Sequence, residues 1–249
     1  MKLEGKIALI TGGTRGIGAA TALELATRGV DVALVARTMN GPAEKARDAL
    51  RSLGRRCALI SGDMGRPQDA KRCVEETERQ LGGVDILIHA AGEGVRGSLL
   101  DTSVEAWYGA FEIHVHALFH LCRACVPAMK TKHGGAIIAI SSTAGLRGCL
   151  GALAYSVAKG ALPNFVRALA RELAGDDIRV NCVSPGIIRT RFQDYLTPEQ
   201  VRNNVDCRIP LHREGKPQDV AELITALVAN DYITGENFVI DGGQTMRIV

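Results

Sequence analysis

The sequence contains no long apolar run. No stretch of this 249-residue chain reaches the ~18 uninterrupted apolar residues that a membrane-spanning helix requires. The apolar core of its first segment, MKLEGKIALITGG, is too short for a signal peptide. We therefore expect a soluble, cytoplasmic protein that does not bind a membrane.

Linkers, repeats and blocks of like charge are also missing. No glycine- or proline-rich tract, low-complexity segment or internal repeat divides the chain, so we expect residues 1–249 to form a single domain. The formal net charge is only +3, and the basic residues are interspersed with acidic ones rather than forming a stripe. These features argue against a nucleic-acid partner.

The seven cysteines do not follow a disulfide or zinc pattern. Their number is odd, and a chain of this size needs no disulfides, which suits a reducing compartment. Cys122 and Cys125 form a lone CxxC inside a helical pattern, without a second pair for zinc or a preceding strand for a thioredoxin-like site. We interpret both as buried packing residues.

Short runs rich in Val, Ile and Leu alternate with longer segments of helical apolar spacing. The runs predict buried strands at 6–10, 32–36, 57–60, 85–89, 136–140, 179–183 and 238–240. The longer segments predict helices at 17–28, 43–53, 68–81, 104–131, 154–173 and 217–229. This alternation predicts an α/β fold with a doubly wound, mainly parallel, Rossmann-type sheet, whose ligand lies beyond the carboxyl ends of the strands.

The segment TGGTRGIG, residues 11–18, lies between the first predicted strand and the first helix. Gly12, Gly16 and Gly18 would allow a tight turn, close approach of the backbone to a pyrophosphate and close packing of helix on strand. The helix N-terminus offers free N–H groups to phosphates. We predict a dinucleotide site here, because the motif stands in the context it requires.

The second strand ends in VALVART and offers Arg37 where NAD-binding proteins usually place an acid. Arg15 in the glycine loop could approach the same 2′-phosphate, and guanidinium groups bind phosphate strongly. The pair predicts NADP(H) rather than NAD(H). Asp63, with Met64 beside it, follows the third strand, where two interpretations are equally supported: an adenine contact or a turn residue.

ISSTAG at 140–145 and AYSVAKGA at 154–161 place polar groups after the fifth strand. Tyr155 and Lys159 are four residues apart and share one face of a helix. A neighbouring ammonium favours the phenolate and lowers a tyrosine pKa from about 10, which makes Tyr155 a credible general acid/base. Ser142 can donate a hydrogen bond to a carbonyl or alcohol oxygen beside it.

Together these motifs resemble the short-chain dehydrogenase/reductase family in its compact form, closest in type to 3-oxoacyl-carrier-protein reductases. The resemblance includes ILIHAAG at 86–92, VSPGIIRT at 183–190 and YITGENFVIDGG at 232–243, and it covers nearly the whole chain. It implies hydride transfer between NADP(H) and a carbonyl carbon, with reduction as the working direction. It also implies catalytic roles for Ser142, Tyr155 and Lys159, and cofactor contacts at Gly12, Thr14, Arg15, Gly16, Ile17, Gly18, Arg37, Thr38, Asp63, Met64, Ala91, Gly92, Tyr155, Lys159, Pro185, Gly186, Ile188 and Thr190.

The chain departs from the family pattern at two positions. His89 begins His-Ala-Ala-Gly where the family usually has Asn-Asn-Ala-Gly, and we expect this to alter strand-end hydrogen bonds more than chemistry. His114 aligns with an asparagine that in the family helps to hold a water linked to the lysine. Two interpretations of His114 are equally supported: the imidazole keeps the relay, with a charge that depends on pH near neutrality, or it has no special role. His116 and His120 have zinc-ligand spacing without a third ligand, so no metal is predicted.

The resemblance places the substrate pocket under residues 146–153 and a lid at about 189–215. Arginines at 189, 191, 202 and 208 either meet an anionic substrate, such as a thioester-linked acyl group or a carboxylate, or serve as solvated surface charge. An alcohol or sugar dehydrogenase working oxidatively is the alternative, and a non-catalytic nucleotide-binding regulator is a distant one. Relatives imply a homotetramer or homodimer built through the two long helices.

Overall fold

The computed structural model describes residues 1–194 and 196–246. Within them lies a seven-stranded sheet in which every neighbouring pair of strands is parallel. The sheet order is β3-β2-β1-β4-β5-β6-β7. The strands are β1 (Ile7–Thr11), β2 (Asp31–Ala36), β3 (Cys57–Ser61), β4 (Ile86–His89), β5 (Gly135–Ile140), β6 (Ile178–Pro185) and β7 (Asn237–Ile240). The predicted doubly wound sheet is confirmed.

Helices cover both faces of this sheet. They are α1 (Gly16–Thr27), α2 (Gly41–Ser52), α3 (Pro67–Leu81), α4 (Val104–Phe111), α5 (Ala117–Thr131), α6 (Thr143–Arg147), α7 (Leu153–Leu173), α8 (Pro198–Asn203) and α9 (Pro217–Ala229). Successive strand residues point to opposite faces, so Leu9 joins the core beneath α3, α5 and α7, while Ile10 joins the core beneath α1, α2 and α9. Burial on both faces explains why the strands read as continuous apolar runs.

The predicted continuous helix at 104–131 is wrong in its middle. Glu112–His116 forms a π-helical turn between α4 and α5, in which the Ala117 N–H donates to the Glu112 carbonyl. Apolar residues keep a helical spacing on both sides of this turn, so the sequence pattern does not reveal it. Single π-turns inside helices are frequent at functional sites, and this one contains His114.

The strand order reverses at β1, which lies between β2 and β4. In a doubly wound sheet this switch point is where a ligand crevice opens beyond the carboxyl ends of the strands. A cleft of about 1740 Å³ lies there, lined by the loops that follow β1 to β6. In the described part of the chain, no helix is both long and apolar enough to span a bilayer.

The segment 189–215, predicted as a lid, begins and ends at one point of the cleft rim. Ile188 and Gly215 form an isolated parallel bridge, and the Arg189 N–H donates to the Gly215 carbonyl at 2.8 Å. Between these ends lie a 3-10 turn, α8 and a second π-helical turn, Asn204–Arg208; Tyr195 falls outside the described residues. The bridge makes the segment a closed loop attached to the fold at its base.

Candidate active site

The glycine loop after β1 has the close backbone contacts that a pyrophosphate site requires. Gly12 adopts φ +66°, and a Cβ there would lie 2.8 Å from the Ala90 carbonyl oxygen. A Cβ on Gly18 would lie 2.4 Å from the Gly12 carbonyl oxygen, so α1 packs against the loop as only glycine allows. Helix α1 begins at Gly16 and directs its N-terminus into the cleft, where free N–H groups suit phosphate. The residues present fit a dinucleotide.

Three charged side chains lie at the nucleotide end of the cleft. Arg15 donates to the Asn40 side-chain oxygen at 3.3 Å. Arg37 forms an ion pair with Glu93 at 3.1 Å, and the two side chains are 59% and 54% exposed. Such an exposed pair contributes ~0–1 kcal/mol. Both arginines are therefore available to a bound phosphate, and Glu93 is a carboxylate that our sequence reasoning missed.

Asp63 serves the turn after β3. Its Oδ1 accepts a hydrogen bond from the Gly65 N–H at 3.0 Å, and its Oδ2 lies 4.0 Å from the Arg66 guanidinium. The Asp63 N–H donates to Asp69 at 2.8 Å. The turn interpretation therefore has direct structural support, and Asp63 also lines the cleft together with Met64.

Helix α6, which Ser142 caps, packs closely against α7, which carries Tyr155. Ser142 caps α6, where its Oγ accepts from the Ala144 N–H at 3.1 Å and keeps its own hydrogen to donate. A Cβ on Gly145 would lie 2.6 Å from the Gly160 backbone nitrogen, so glycine is needed where the helices meet. Ser141 Oγ donates to the Lys159 carbonyl at 2.7 Å and ties α7 to the end of β5.

Lys159 is a buried cation beside Tyr155. Its Nζ donates to the Ile140 carbonyl at 2.7 Å and lies 5.8 Å from the centre of the Tyr155 ring. Burial disfavours the charged form and lowers the pKa of Lys159 from 10.5 to about 8. The ammonium therefore persists at pH 7, beside the Tyr155 ring.

His114 lies fully buried behind this pair. Its Nε2 is 3.1 Å from the Glu93 carbonyl oxygen, which can only accept, so Nε2 carries the hydrogen and Nδ1 is an acceptor. No partner for Nδ1 is present among the described residues. The ring packs edge to face on Tyr155, with 5.5 Å between centroids. Gly92 makes room for the ring, since a Cβ there would lie 2.4 Å from the His114 Cε1.

His114 does not titrate near neutrality, so the interpretation with a pH-dependent charge is wrong. Burial, followed by the nearby Lys159 charge, lowers the pKa of His114 to about 2. The imidazole is therefore neutral throughout the physiological range. The sequence reveals the residue type but not the depth at which it is buried.

His89 joins the ends of β1 and β4 to the π-helical turn. The Thr11 hydroxyl donates to His89 Nδ1 at 2.9 Å, and His89 Nε2 donates to the Ile113 carbonyl at 3.0 Å. The Ala91 N–H in turn donates to the Thr11 oxygen at 3.2 Å. Burial and the Lys159 charge lower the pKa of His89 to about 3. These contacts agree with the expected effect on strand-end hydrogen bonding.

The segment 189–215 contributes aromatic and basic side chains to the cleft. The Phe192 ring lies 5.8 Å from the Tyr155 ring and against Gly94, a contact that our sequence reasoning missed. Arg189 forms an ion pair with Glu214 at 2.5 Å. Arg189, Arg191 and Arg208 line the cleft, whereas Arg202 does not.

The structure brings all the predicted site residues to one cleft. The residues that line it include Gly12, Thr14, Arg15, Gly16, Ile17, Gly18, Arg37, Thr38, Asp63, Met64, Ala91, Gly92, His114, Ser142, Tyr155, Lys159, Pro185, Gly186, Ile188 and Thr190. The glycine loop at 11–18 and the tyrosine-lysine pair therefore face the same space, although they are more than 130 residues apart in the chain.

Other candidate groups lie away from the cleft. His116 is exposed, and His120 lies against Phe119. Residues 1–194 and 196–246 contain no group of three or more His, Cys, Asp or Glu side chains that could hold a metal. Cys122 and Cys125 are buried in the core, and burial raises the pKa of both thiols. All seven cysteines lie within the described ranges, and none forms a disulfide.

Comparison with known proteins gives consistent matches along the chain. A family model described as enoyl-(acyl carrier protein) reductase matches residues 12–245. The 3-oxoacyl-[acyl-carrier-protein] reductase of Bos taurus is 37% identical over 98% of this chain and 99% of its own. L-sorbose reductase from Gluconobacter frateurii, solved with NADPH and L-sorbose, is 30% identical with a TM-score of 0.92 and covers 100% of both chains. A short-chain type dehydrogenase/reductase from Mycobacterium marinum is 33% identical with a TM-score of 0.92, covering 99% of this chain and 98% of its own. The chain therefore belongs to the short-chain dehydrogenase/reductase family of oxidoreductases, as its motifs predict.

Proposed function

We propose that this protein is an NADP(H)-dependent reductase that converts a ketone to a secondary alcohol. The observation that carries the proposal is the shared cleft, in which Ser142, Tyr155 and Lys159 face the same space as the glycine loop. A dinucleotide loop or a Tyr-x-x-x-Lys pair alone is a weak signal, and their convergence is specific.

Two arginines support NADP(H) as the cofactor. Arg15 and Arg37 lie at the nucleotide end of the cleft, where a guanidinium can bind a 2′-phosphate. The similar L-sorbose reductase was solved with NADPH. When bound, the cofactor supplies the hydride that reduces the carbonyl carbon.

The protein's own side chains handle the proton and the carbonyl oxygen. Ser142 Oγ donates a hydrogen bond that positions the oxygen beside Tyr155. The Tyr155 hydroxyl gives its proton to this oxygen as the alcohol forms. The Lys159 ammonium, 5.8 Å from the ring centre, stabilises the negative charge left on the tyrosine.

His114 is the proposed positioning residue for proton return to Tyr155. Its unprotonated Nδ1 is buried without a described partner, and a buried acceptor of this kind calls for a donor. We place a water there, linked to Lys159, as the family's asparagine would hold one. His114→Asn should retain turnover, whereas His114→Leu, which has no acceptor, should lower kcat. Equal kcat values for the two variants would argue against the relay.

The substrate end favours an anionic or strongly polar keto compound. Arg191 and Arg208 line it, along with Arg147, whose guanidinium donates to the Thr245 carbonyl at 3.1 Å. A 3-oxoacyl thioester on a phosphopantetheine carrier has the required ketone and negative charge, and the similar Bos taurus protein is named for such a substrate. The loop 189–215, attached at its Ile188–Gly215 base, is the proposed lid.

A keto sugar is the second candidate substrate. It is favoured by the similarity to L-sorbose reductase, which extends over the whole of both chains. An oxidative alcohol or sugar dehydrogenase would use the same groups in reverse, whereas a non-catalytic regulator would leave the Ser142, Tyr155 and Lys159 arrangement without a use.

A screen of NADPH oxidation separates these functions. Purified protein is tested with acetoacetyl thioesters, diketones, quinones and keto sugars, and NADP⁺ reduction with alcohols is followed in parallel. We expect the highest kcat/KM with a 3-oxoacyl thioester. Faster turnover of a ketose would favour the second candidate. Cofactor binding without turnover of any compound would favour the regulator.

We also propose that the protein is a cytoplasmic homo-oligomer, a dimer or a tetramer. Helices α4, α5 and α7 carry exposed apolar side chains, with Val104 and Tyr108 on α4 exposed by 64% and 62%. Phe119 on α5 and Val157 on α7 are each 42% exposed. Size-exclusion chromatography with light scattering tests the assembly, and a monomeric mass would contradict it.

A further inference from the structure

The nucleotide end of the cleft contains a carboxylate that contacts Arg37, one of the two arginines proposed to bind the 2′-phosphate. Of the described residues that line the cleft, only Asp63 and Glu93 are acidic. Asp63 is engaged in its own turn through the Gly65 N–H. The Glu93 carboxylate instead contacts the Arg37 guanidinium at 3.1 Å.

The strand order explains this contact. Arg37 follows β2 and Glu93 follows β4, and β1 lies between these strands in the sheet. The ion pair therefore crosses above the carboxyl end of β1, where the glycine loop begins. The Glu93 main chain is held because its carbonyl accepts a hydrogen bond from His114 Nε2. Its carboxylate, in contrast, is half exposed within the cleft.

We propose that Glu93 is a specificity-determining residue that limits the preference of this enzyme for NADPH over NADH. The inference rests on the proposed function, since it concerns the same nucleotide site. A 2′-phosphate must take Arg37 from the Glu93 carboxylate and then remain near that negative charge. A ribose 2′-hydroxyl can instead donate a hydrogen bond to a carboxylate, the role that an acid at the end of β2 plays in NAD-binding proteins. Glu93 brings such an acid to this region from a different strand.

Replacing Glu93 by glutamine tests the charge alone, because the amide keeps the size of the side chain and its hydrogen-bonding oxygen. We expect Glu93→Gln to lower the Kd for NADPH about three- to tenfold, the tenfold limit being ~1.4 kcal/mol. The Kd for NADH should stay the same or rise. The effect on NADPH should shrink at high salt, because both partners are exposed to solvent.

Direct binding is measured by cofactor fluorescence without substrate, so substrate identity does not affect the result. Glu4→Gln is the matched control, because Glu4 pairs with Arg55 at 3.3 Å outside the cleft. Its ratio of Kd values for NADH and NADPH should equal that of the wild type. In an Arg37→Ala background, Glu93→Gln should change NADPH binding less than it does beside Arg37.

Each result bears on a separate claim. An unchanged ratio of Kd values in Glu93→Gln, with wild-type protein binding NADPH, overturns this inference and leaves the proposed function standing. An equal weakening of both cofactors also overturns it, because it would indicate a structural role. Wild-type protein that binds neither cofactor overturns the proposed function and this inference together.

Discussion

Lys159 is a buried ammonium, and the loss of folding stability that burial of its charge causes can be measured. Burial lowers its pKa from 10.5 to about 8, a difference of about 2.5 that corresponds to ~3 kcal/mol at pH 7. The unfolded chain keeps this proton up to about pH 10.4, whereas the folded protein releases it near pH 8. Between these values the unfolded state binds more protons, so the contribution of Lys159 to stability becomes less unfavourable as pH rises.

The perturbation is Lys159→Met, made in a Tyr155→Phe background so that the tyrosine does not titrate. Urea titrations at fixed protein concentration give the free energy of unfolding of Tyr155→Phe and of the double variant at several pH values. Relative to the double variant, Tyr155→Phe should gain ~2 kcal/mol between pH 7 and pH 9.5. A gain in the free energy of unfolding below about 0.5 kcal/mol, well under the ~2 kcal/mol expected, would refute the depressed pKa of Lys159.

Three further outcomes follow from the site. The kcat/KM for carbonyl reduction should fall as pH rises through about 8, where Lys159 loses its proton. Lys159→Arg should move that fall to higher pH. A fall at the same pH in the variant would show that another group titrates there. His114→Asn should leave the pH dependence of kcat/KM between pH 5 and 8 unchanged, because the pKa of His114 is already about 2. A wild-type change in kcat/KM near pH 6.5 that disappears in the variant would contradict a neutral imidazole. Gly92→Ala should lower the free energy of unfolding by ~1–3 kcal/mol, because its Cβ meets the His114 ring. That loss should be smaller in a His114→Ala background, and equal losses in denaturant titrations would contradict the contact.

The sheet could be predicted from the sequence because its strands are buried on both faces. Each apolar run coincides with an observed strand, and the predicted ends lie within one or two residues of the observed ends. The π-helical turn Glu112–His116 could not be predicted, since one additional residue per turn leaves the apolar spacing of α4 and α5 unchanged. Periodicity reports which face is buried, not which backbone hydrogen bonds form.

Local motifs revealed most of the candidate site, and the missed residues depend on tertiary contacts. The glycine loop and the Tyr155–Lys159 pair are each encoded within a few neighbouring residues. Glu93 pairs with Arg37 only because β1 separates their strands by a single position, which no local pattern shows. The neutral state of His114 likewise follows from burial beside Lys159, a property of the folded protein.

The central claim is that Tyr155 donates the proton during NADPH-dependent reduction of a ketone. Its most direct test is to compare the wild type with Tyr155→Phe, measuring NADPH oxidation with an acetoacetyl thioester and NADPH binding by fluorescence. Removing the hydroxyl should lower turnover by at least about 10²-fold, the usual contribution of a general acid, and should leave cofactor binding intact. A Tyr155→Phe variant that binds NADPH and turns over at the wild-type rate would contradict the mechanism.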